Sequence, residues 1–299
     1  MDIQTSHIQS GDGTDLAVFA TGGGPGPTMV LCNGLGGNIQ AWKYLIEEFG
    51  PHHQIISWDY RGLYQSGPAA ERTGYDVQTQ VADLHAVLQH FAVDKAVLVG
   101  WSMGVQVAFE AWRQFPQKIL GLVLINGTYG SPLHTAFGPL LKDSPLKALL
   151  PKIARGLEVA SHLAEPFQPA AQRMSKTKLA LKVMQTLGLA SAALDEEMFL
   201  ALAAEVAGLH MPRYMATLNA LAQHSAEDIL GSITVPVLVV TGDRDLFTPI
   251  AQSREMVRAI PHAELLVIPS GTHYTPLEFP ELIHLRVEKW LRDRVGFGR

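Results

Sequence analysis

Up to Ile125, short dense apolar runs alternate with stretches whose apolar positions recur every three or four residues. The runs read as buried strands: Thr28 to Asn33, Gln54 to Trp58, Lys95 to Trp101 and Ile119 to Ile125. They are short, rich in β-branched residues and bounded by turn residues. The periodic stretches read as helices. One spans Ile39 to Phe49, with Trp42, Leu45, Ile46 and Phe49 on one face. Another is capped by Asp76 and runs to about Phe91, with Val81, Leu84 and Leu88 inward. Ahead of these, Ile3 to Gln9 and Leu16 to Thr21 flank the turn residues Ser10 to Asp15, which predicts an opening hairpin.

After Asn126-Gly127-Thr128 the alternation stops. Residues 129–209 are rich in Leu and Ala, show helical period in Lys178 to Leu187 and Asp195 to Val206, and contain no strand pattern. Alternation then resumes with a helix at Tyr214 to Gln223 and a strand at Val235 to Thr241. A helix at Ile250 to Ala259, a strand at Glu264 to Ile268 and a last helix from Pro280 to Val295 follow. Strands alternating with helices predict an α/β fold, with a mostly parallel central sheet covered by helices on both faces. The core is expected from residues 1–128 and 210–299, with residues 129–209 as a helical insertion. Sites in such sheets form beyond the carboxyl ends of the strands.

Composition narrows the picture. Of 299 residues, 47% are hydrophobic and 17% charged, which is ample for a globular core. A net charge of -5 without basic blocks argues against nucleic acid as the main partner. The chain has 1 cysteine, so no intrachain disulfide forms, and Cys32, inside the apolar run Met29 to Cys32, reads as a small core residue. The opening Met1-Asp2-Ile3-Gln4 lacks the pattern of a signal peptide and no stretch is long and apolar enough to span a membrane, so a cytoplasmic protein is expected. Gly22 to Pro27 contains G-x-G, but without the strand, helix and acidic residue that dinucleotide binding requires. No HExxH and no paired Cys/His spacing occurs, so neither a metal nor a cofactor is expected.

The candidate chemistry centres on Gly100-Trp101-Ser102-Met103-Gly104, between the strand Lys95 to Trp101 and a helical pattern carried by Val105, Val107, Ala108, Phe109 and Trp112. A strand turning at once into a helix strains the turn residue and lifts its side chain clear of the sheet edge. Side chains at Gly100 and Gly104 would collide with neighbouring backbone. A serine hydroxyl needs a base, and the base needs an acid to orient it. Gly242-Asp243-Arg244-Asp245 follows one later strand, and Gly271-Thr272-His273 follows the next. His52, His53 and His262 precede strands, and His85, His90, His134, His162, His210, His224 and His284 fall on helices or the insertion, so each reads as a surface or capping residue. The glycine-dense loop Asn33-Gly34-Leu35-Gly36-Gly37-Asn38, between a strand and a helix, exposes backbone N–H groups suited to an anion, or is simply a tight turn.

Taken together, these segments resemble the α/β-hydrolase superfamily over nearly the whole chain outside the insertion. The resemblance rests on Asn33 to Gly37, Asp59-Tyr60-Arg61-Gly62-Leu63-Tyr64-Gln65-Ser66-Gly67, Gly100 to Gly104, Gly242 to Pro249, and Gly271 to His273 leading to Glu278-Phe279-Pro280-Glu281. It implies Ser102 as nucleophile, His273 as base, Asp245 rather than Asp243 as acid, and the N–H groups of Leu35 and Met103 as oxyanion donors. It also implies that the insertion is a helical lid. Two positions depart from the family. Asn33 replaces the usual His before Gly34, and is expected to hold the loop and border the substrate pocket with Trp101. Tyr64 stands where the second glycine of the Arg-Gly-x-Gly-x-Ser loop is usual, and is expected to narrow the pocket or reorder the loop. The apolar insertion (Leu140-Leu141, Leu146, Leu149-Leu150, Met174, Leu179, Leu181, Val183-Met184, Met198-Phe199-Leu200) suits an apolar ester. Most of these residues, however, are expected to pack helices together, and Met103 is expected at the pocket wall or in the core. C–C bond hydrolases, lactonases, thioesterases, perhydrolases and acyltransferases would use the same three residues, and a small-molecule receptor with little turnover is the reading from another class. Epoxide hydrolases and dehalogenases share the resemblance but use an aspartate nucleophile.

Overall fold

The computed structural model describes residues 2–71, 74–136, 149–164 and 178–297. An eight-stranded sheet runs through it. Strands β1 (Ile3–Gln9), β2 (Asp15–Thr21), β3 (Thr28–Cys32), β4 (Ile55–Trp58), β5 (Ala96–Trp101), β6 (Ile119–Ile125), β7 (Val237–Gly242) and β8 (Glu264–Ile268) lie in the order β1-β2-β4-β3-β5-β6-β7-β8. The opening hairpin pairs antiparallel, Ile3 opposite Thr21, and β2 pairs antiparallel with β4. Every later pairing is parallel. Connections between parallel strands require crossovers, which the helices supply.

Helices α1 (Lys43–Phe49), α2 (Val77–His90) and α3 (Met103–Gln114) follow β3, β4 and β5. Between β6 and β7, the described residues include α4 (Leu150–Ala164), α5 (Lys178–Thr186), α6 (Glu196–Ala207) and α7 (Met211–Leu221), and no strand. α8 (Ile250–Ala259) connects β7 to β8, and α9 (Pro280–Trp290) closes the fold. Strand alternation decides which helix packs where. Val97, Val99 and Trp101 of β5 join Trp42, Leu45 and Phe49 in one core layer, together with Val287 and Trp290 of α9. Ala96 and Leu98 join Val81 and Leu84 of α2 and Val105 and Phe109 of α3 in the other. Cys32 lies fully buried in that second layer, and burial pushes its thiol pKa up. No helix among the described residues is long and apolar enough to cross a membrane.

Several element ends differ from the pattern-based expectation. Ile39–Trp42 is a separate 3-10 turn ahead of α1. β7 starts at Val237, because Pro236 has no N–H to add to a ladder and contributes its carbonyl to Leu122 instead. His224 lies beyond the end of α7, buried against Gln106 and Glu110 of α3. The last turn, Leu291–Val295, winds as a π-helix. Leu140, Leu141, Leu146 and Met174 lie outside the described residues.

Candidate active site

The strand order reverses at β3 and β5, and ligand sites in open parallel sheets form at such a reversal. In-register pairs bring the carboxyl ends level: Cys32 with Gly100, Trp101 with Ile125, and Gly242 with Ile268. The loops that follow β3, β5, β6, β7 and β8 therefore open on one rim. Ser102 occupies the turn between β5 and α3 with φ 57° and ψ -113°, a left-handed φ that is costly for a side chain. Its flanking glycines permit the turn. A Cβ on Gly100 would stand 2.5 Å from the carbonyl oxygen of Gly104, and one on Gly104 only 1.9 Å from that of Cys32.

Three side chains meet on this rim. His273 Nε2 lies 2.9 Å from Ser102 Oγ, and His273 Nδ1 lies 2.8 Å from Asp245 Oδ2. With the ring proton on Nδ1, the imidazole donates to Asp245 and accepts from the serine hydroxyl. The carboxylate in this contact is that of Asp245; Asp243 is exposed, and its N–H donates to the carbonyl of Ile268 at the end of β8. Asp245 is 3% exposed. Its Oδ1 accepts from the N–H groups of Phe247 and Thr248, and its Oδ2 from the Thr248 hydroxyl at 2.6 Å. Burial by itself would raise its pKa, but the His273 charge and these hydrogen bonds outweigh it and hold the carboxyl below its ordinary value.

Further residues brace this trio that sequence reasoning did not assign to it. Asn126, at the end of β6 with φ 45°, donates through Nδ2 to Asp245 Oδ2 (2.8 Å) and to the carbonyl of Thr272 (3.0 Å). Its Oδ1 accepts from the Thr275 hydroxyl. Asparagine tolerates the left-handed region better than most residues, so this strand end suits it. Glu278 accepts from the N–H and hydroxyl of Thr272 (2.7 and 2.6 Å), fixing the residue before His273. Trp101 Nε1 donates to the carbonyl of His273 at 3.0 Å. The one available signal was position: Asn126 ends the strand between those leading to Ser102 and Asp245.

The loop after β3 is pinned at several points. Asn33, expected at the pocket, is instead fully buried below it. Its Nδ2 donates to the carbonyl of Trp58 (2.7 Å) and its Oδ1 accepts from Trp42 Nε1 (2.8 Å), so both polar atoms are committed to bracing the loop. The Tyr60 hydroxyl donates to the Asn33 carbonyl at 2.7 Å. The N–H of Gly37 donates to the carbonyl of Gly34 at 2.8 Å, and the Tyr64 hydroxyl donates to the carbonyl of Gly36 at 2.5 Å. Met103 is the first residue of α3, so its N–H has no partner within the helix. Its side chain is 1% exposed in the core layer rather than in the pocket wall.

Over Ser102 and His273 lies a cavity of about 310 Å³. Trp101 lines it as expected, beside Leu35 and Tyr274. α6 supplies Phe199, Leu202, Ala203, Val206 and Ala207, and α5 supplies Met184. Among the described lining residues, none is a Lys, Arg, Asp or Glu. Burial raises the pKa of both lining phenols, Tyr214 and Tyr274, which keeps them neutral. Leu181 is buried in packing between helices, and Leu179 is exposed. Tyr64 does not line this cavity but a neighbouring polar one, with Asp59, Glu205 and Arg213.

Known proteins match along most of this architecture. Epoxide hydrolase 3 of Xenopus tropicalis is 23% identical over 97% of this chain and 78% of its own length. A pimeloyl-[acyl-carrier protein] methyl ester esterase of Vibrio parahaemolyticus is 27% identical over 84% of this chain and 88% of its own. The structure of a thermophilic esterase from Thermogutta terrifontis superposes with a TM-score of 0.71 at 23% identity, covering 97% of this chain and 98% of that one. The sequence profile of the alpha/beta hydrolase fold matches residues 27–280, from β3 through the histidine loop into α9. With sheet order, strand-end loops and sequence profile in agreement, the chain belongs to the alpha/beta hydrolase fold family.

Proposed function

We propose that this protein is a serine-dependent hydrolase of apolar carboxylic esters, working through an acyl-enzyme. The observation that carries the reading is the unbroken contact from Ser102 Oγ to His273 to Asp245, at 2.9 and 2.8 Å. In this mechanism His273 takes the hydroxyl proton as Ser102 Oγ attacks the ester carbonyl. The N–H groups of Leu35 and Met103 stabilise the oxyanion, and His273 then protonates the departing alcohol. Water, deprotonated by His273, attacks the acyl-serine; the proton returns to Ser102 and the acid leaves. Asp245 keeps the imidazole oriented and offsets its charge. The helices of segment 129–209 act as a lid that excludes water from the acyl pocket.

The uncharged wall of the cavity supports an apolar acyl group. Its volume, about 310 Å³, lies at the low end of typical small-molecule sites, which favours a short to medium chain. Likeness to a methyl ester esterase agrees with ester chemistry. Likeness to an epoxide hydrolase does not favour epoxide opening, because the elbow presents a hydroxyl, not a carboxylate.

Hydrolysis of p-nitrophenyl esters from acetate to decanoate tests both parts. We expect kcat/KM to rise from acetate to a maximum at intermediate length, with one fluorophosphonate label per chain. Ser102→Ala should lower kcat by about 10⁴-fold or more and abolish labelling. Turnover surviving in Ser102→Ala would overturn the mechanism. Rates flat or falling from acetate onward would overturn the apolar acyl pocket.

A further inference from the structure

We propose that the Tyr64 hydroxyl is a positioning group for the oxyanion hole, acting on Leu35 through two peptide planes. The inference rests on the serine-hydrolase reading above. The Tyr64 hydroxyl donates to the carbonyl of Gly36, 2.5 Å away. That carbonyl and the N–H of Gly37 belong to one planar trans peptide and point in opposite directions. Holding the carbonyl therefore aims the Gly37 N–H, which donates to the carbonyl of Gly34 at 2.8 Å. The Gly34 carbonyl in turn shares a peptide plane with the N–H of Leu35. Fixing one end of that plane fixes the other, in a loop that lies against the nucleophile: a Cβ on Gly34 would lie 3.4 Å from that of Ser102.

Without the Tyr64 bond, the 36–37 peptide keeps its N–H on the Gly34 carbonyl but loses the hold on its own carbonyl, and the flanking glycines let it tilt. Gly36 has φ 76°, and Gly37 carries no side chain to limit it. Tyr60 anchors only the near end, at the Asn33 carbonyl. Tyr64 itself has φ 48°, a left-handed backbone that glycine would adopt without penalty. A tyrosine held in a glycine conformation, with its hydroxyl on the loop that carries Leu35, points to a role for the hydroxyl.

Steady-state hydrolysis of p-nitrophenyl butyrate tests this, with sites counted by fluorophosphonate titration so that unfolded protein does not enter. Tyr64→Phe removes only the hydroxyl. Because deleting an oxyanion donor outright costs about 10²–10³ and this change only releases its aim, kcat should fall about 10-fold with KM within about 2-fold. Affinity for an alkyl trifluoromethyl ketone, whose adduct carries the oxyanion, should weaken by the same factor. Tyr64→Gly, which relieves the backbone but lacks the hydroxyl, should not recover the parent kcat. Parent-level kcat in either variant, or a rise in KM alone, would overturn the inference while leaving Ser102 chemistry intact. Turnover surviving in Ser102→Ala would instead overturn the underlying reading, and this inference with it.

Discussion

Asp59 and Asp245 are both buried aspartates in loops at the carboxyl rim, yet their surroundings drive them apart. Asp245 accepts from two backbone N–H groups, the Thr248 hydroxyl, Asn126 and His273, and its pKa is held down. Asp59 accepts from the N–H of Gln65 alone at the side chain, and its Oδ1 has no hydrogen-bond partner among the described residues. Burial dominates there and pushes its pKa up to about 7. A carboxyl whose folded pKa exceeds its unfolded value binds more protons when folded. Its contribution to stability is therefore greatest at low pH and is lost as pH rises through the interval from about 4 to about 7. Asp59→Asn removes this dependence. Denaturant unfolding of parent and variant at pH 5 and pH 8 should show the variant gaining on the parent by about 2–3 kcal/mol between the two. The amide's own unpaired hydrogens cost the same at both pH values and cancel in the comparison. A constant difference would mean that Asp59 is already ionised at pH 5.

At the level of elements, the sheet works as a register that brings loops from distant parts of the chain to one edge. Among its glycines the closest approach is at the crossing of β3 under α3, where Gly104 meets the carbonyl of Cys32. A methyl at 1.9 Å from backbone oxygen cannot be absorbed by a rotamer change, so strand and helix must separate. Gly104→Ala should cost about 3 kcal/mol or more and lower the midpoint of thermal unfolding by at least about 5 °C. Gly11→Ala, with nothing within 4 Å, is the matched control and should stay within about 0.5 kcal/mol of the parent. Equal melting curves would mean the elbow relaxes more easily than its geometry implies. The elbow and its two partner loops were legible in the sequence because each is a local motif at the end of an apolar run. Residues whose partners are remote were not. Asn126 meets Asp245 across 119 positions, and Asn38 meets Glu205 across 167. Asn33 was recognised as a departure, but its burial depends on Trp42 and Trp58, whose convergence beneath the loop is a matter of packing rather than local pattern. Tyr64 was likewise visible as an anomaly, whereas its contact with Gly36 emerges only when the β4 loop folds across the β3 loop.

On the scale of the whole molecule, one surface of the cavity belongs to the sheet rim and the other to α6. The core supplies the hydroxyl and imidazole, while Phe199, Leu202, Ala203, Val206 and Ala207 recur at three- and four-residue intervals and form one stripe along that helix. This division separates the proposed chemistry from the proposed choice of substrate. Ala203 stands in the middle of the stripe and makes no hydrogen bond to Ser102, His273 or Asp245, so enlarging it should shorten the pocket and leave those three side chains in place. For Ala203→Phe, kcat/KM toward p-nitrophenyl hexanoate should fall about 10-fold or more, because a short pocket rejects each added methylene by roughly 1 kcal/mol. Acetate should change by no more than about 3-fold, since its single methyl need not reach the stripe. Ala201→Phe, at an exposed position on the same helix and off the stripe, controls for a general effect on α6. Equal losses for acetate and hexanoate in Ala203→Phe would separate α6 from acyl recognition and place the acyl group against the sheet rim instead.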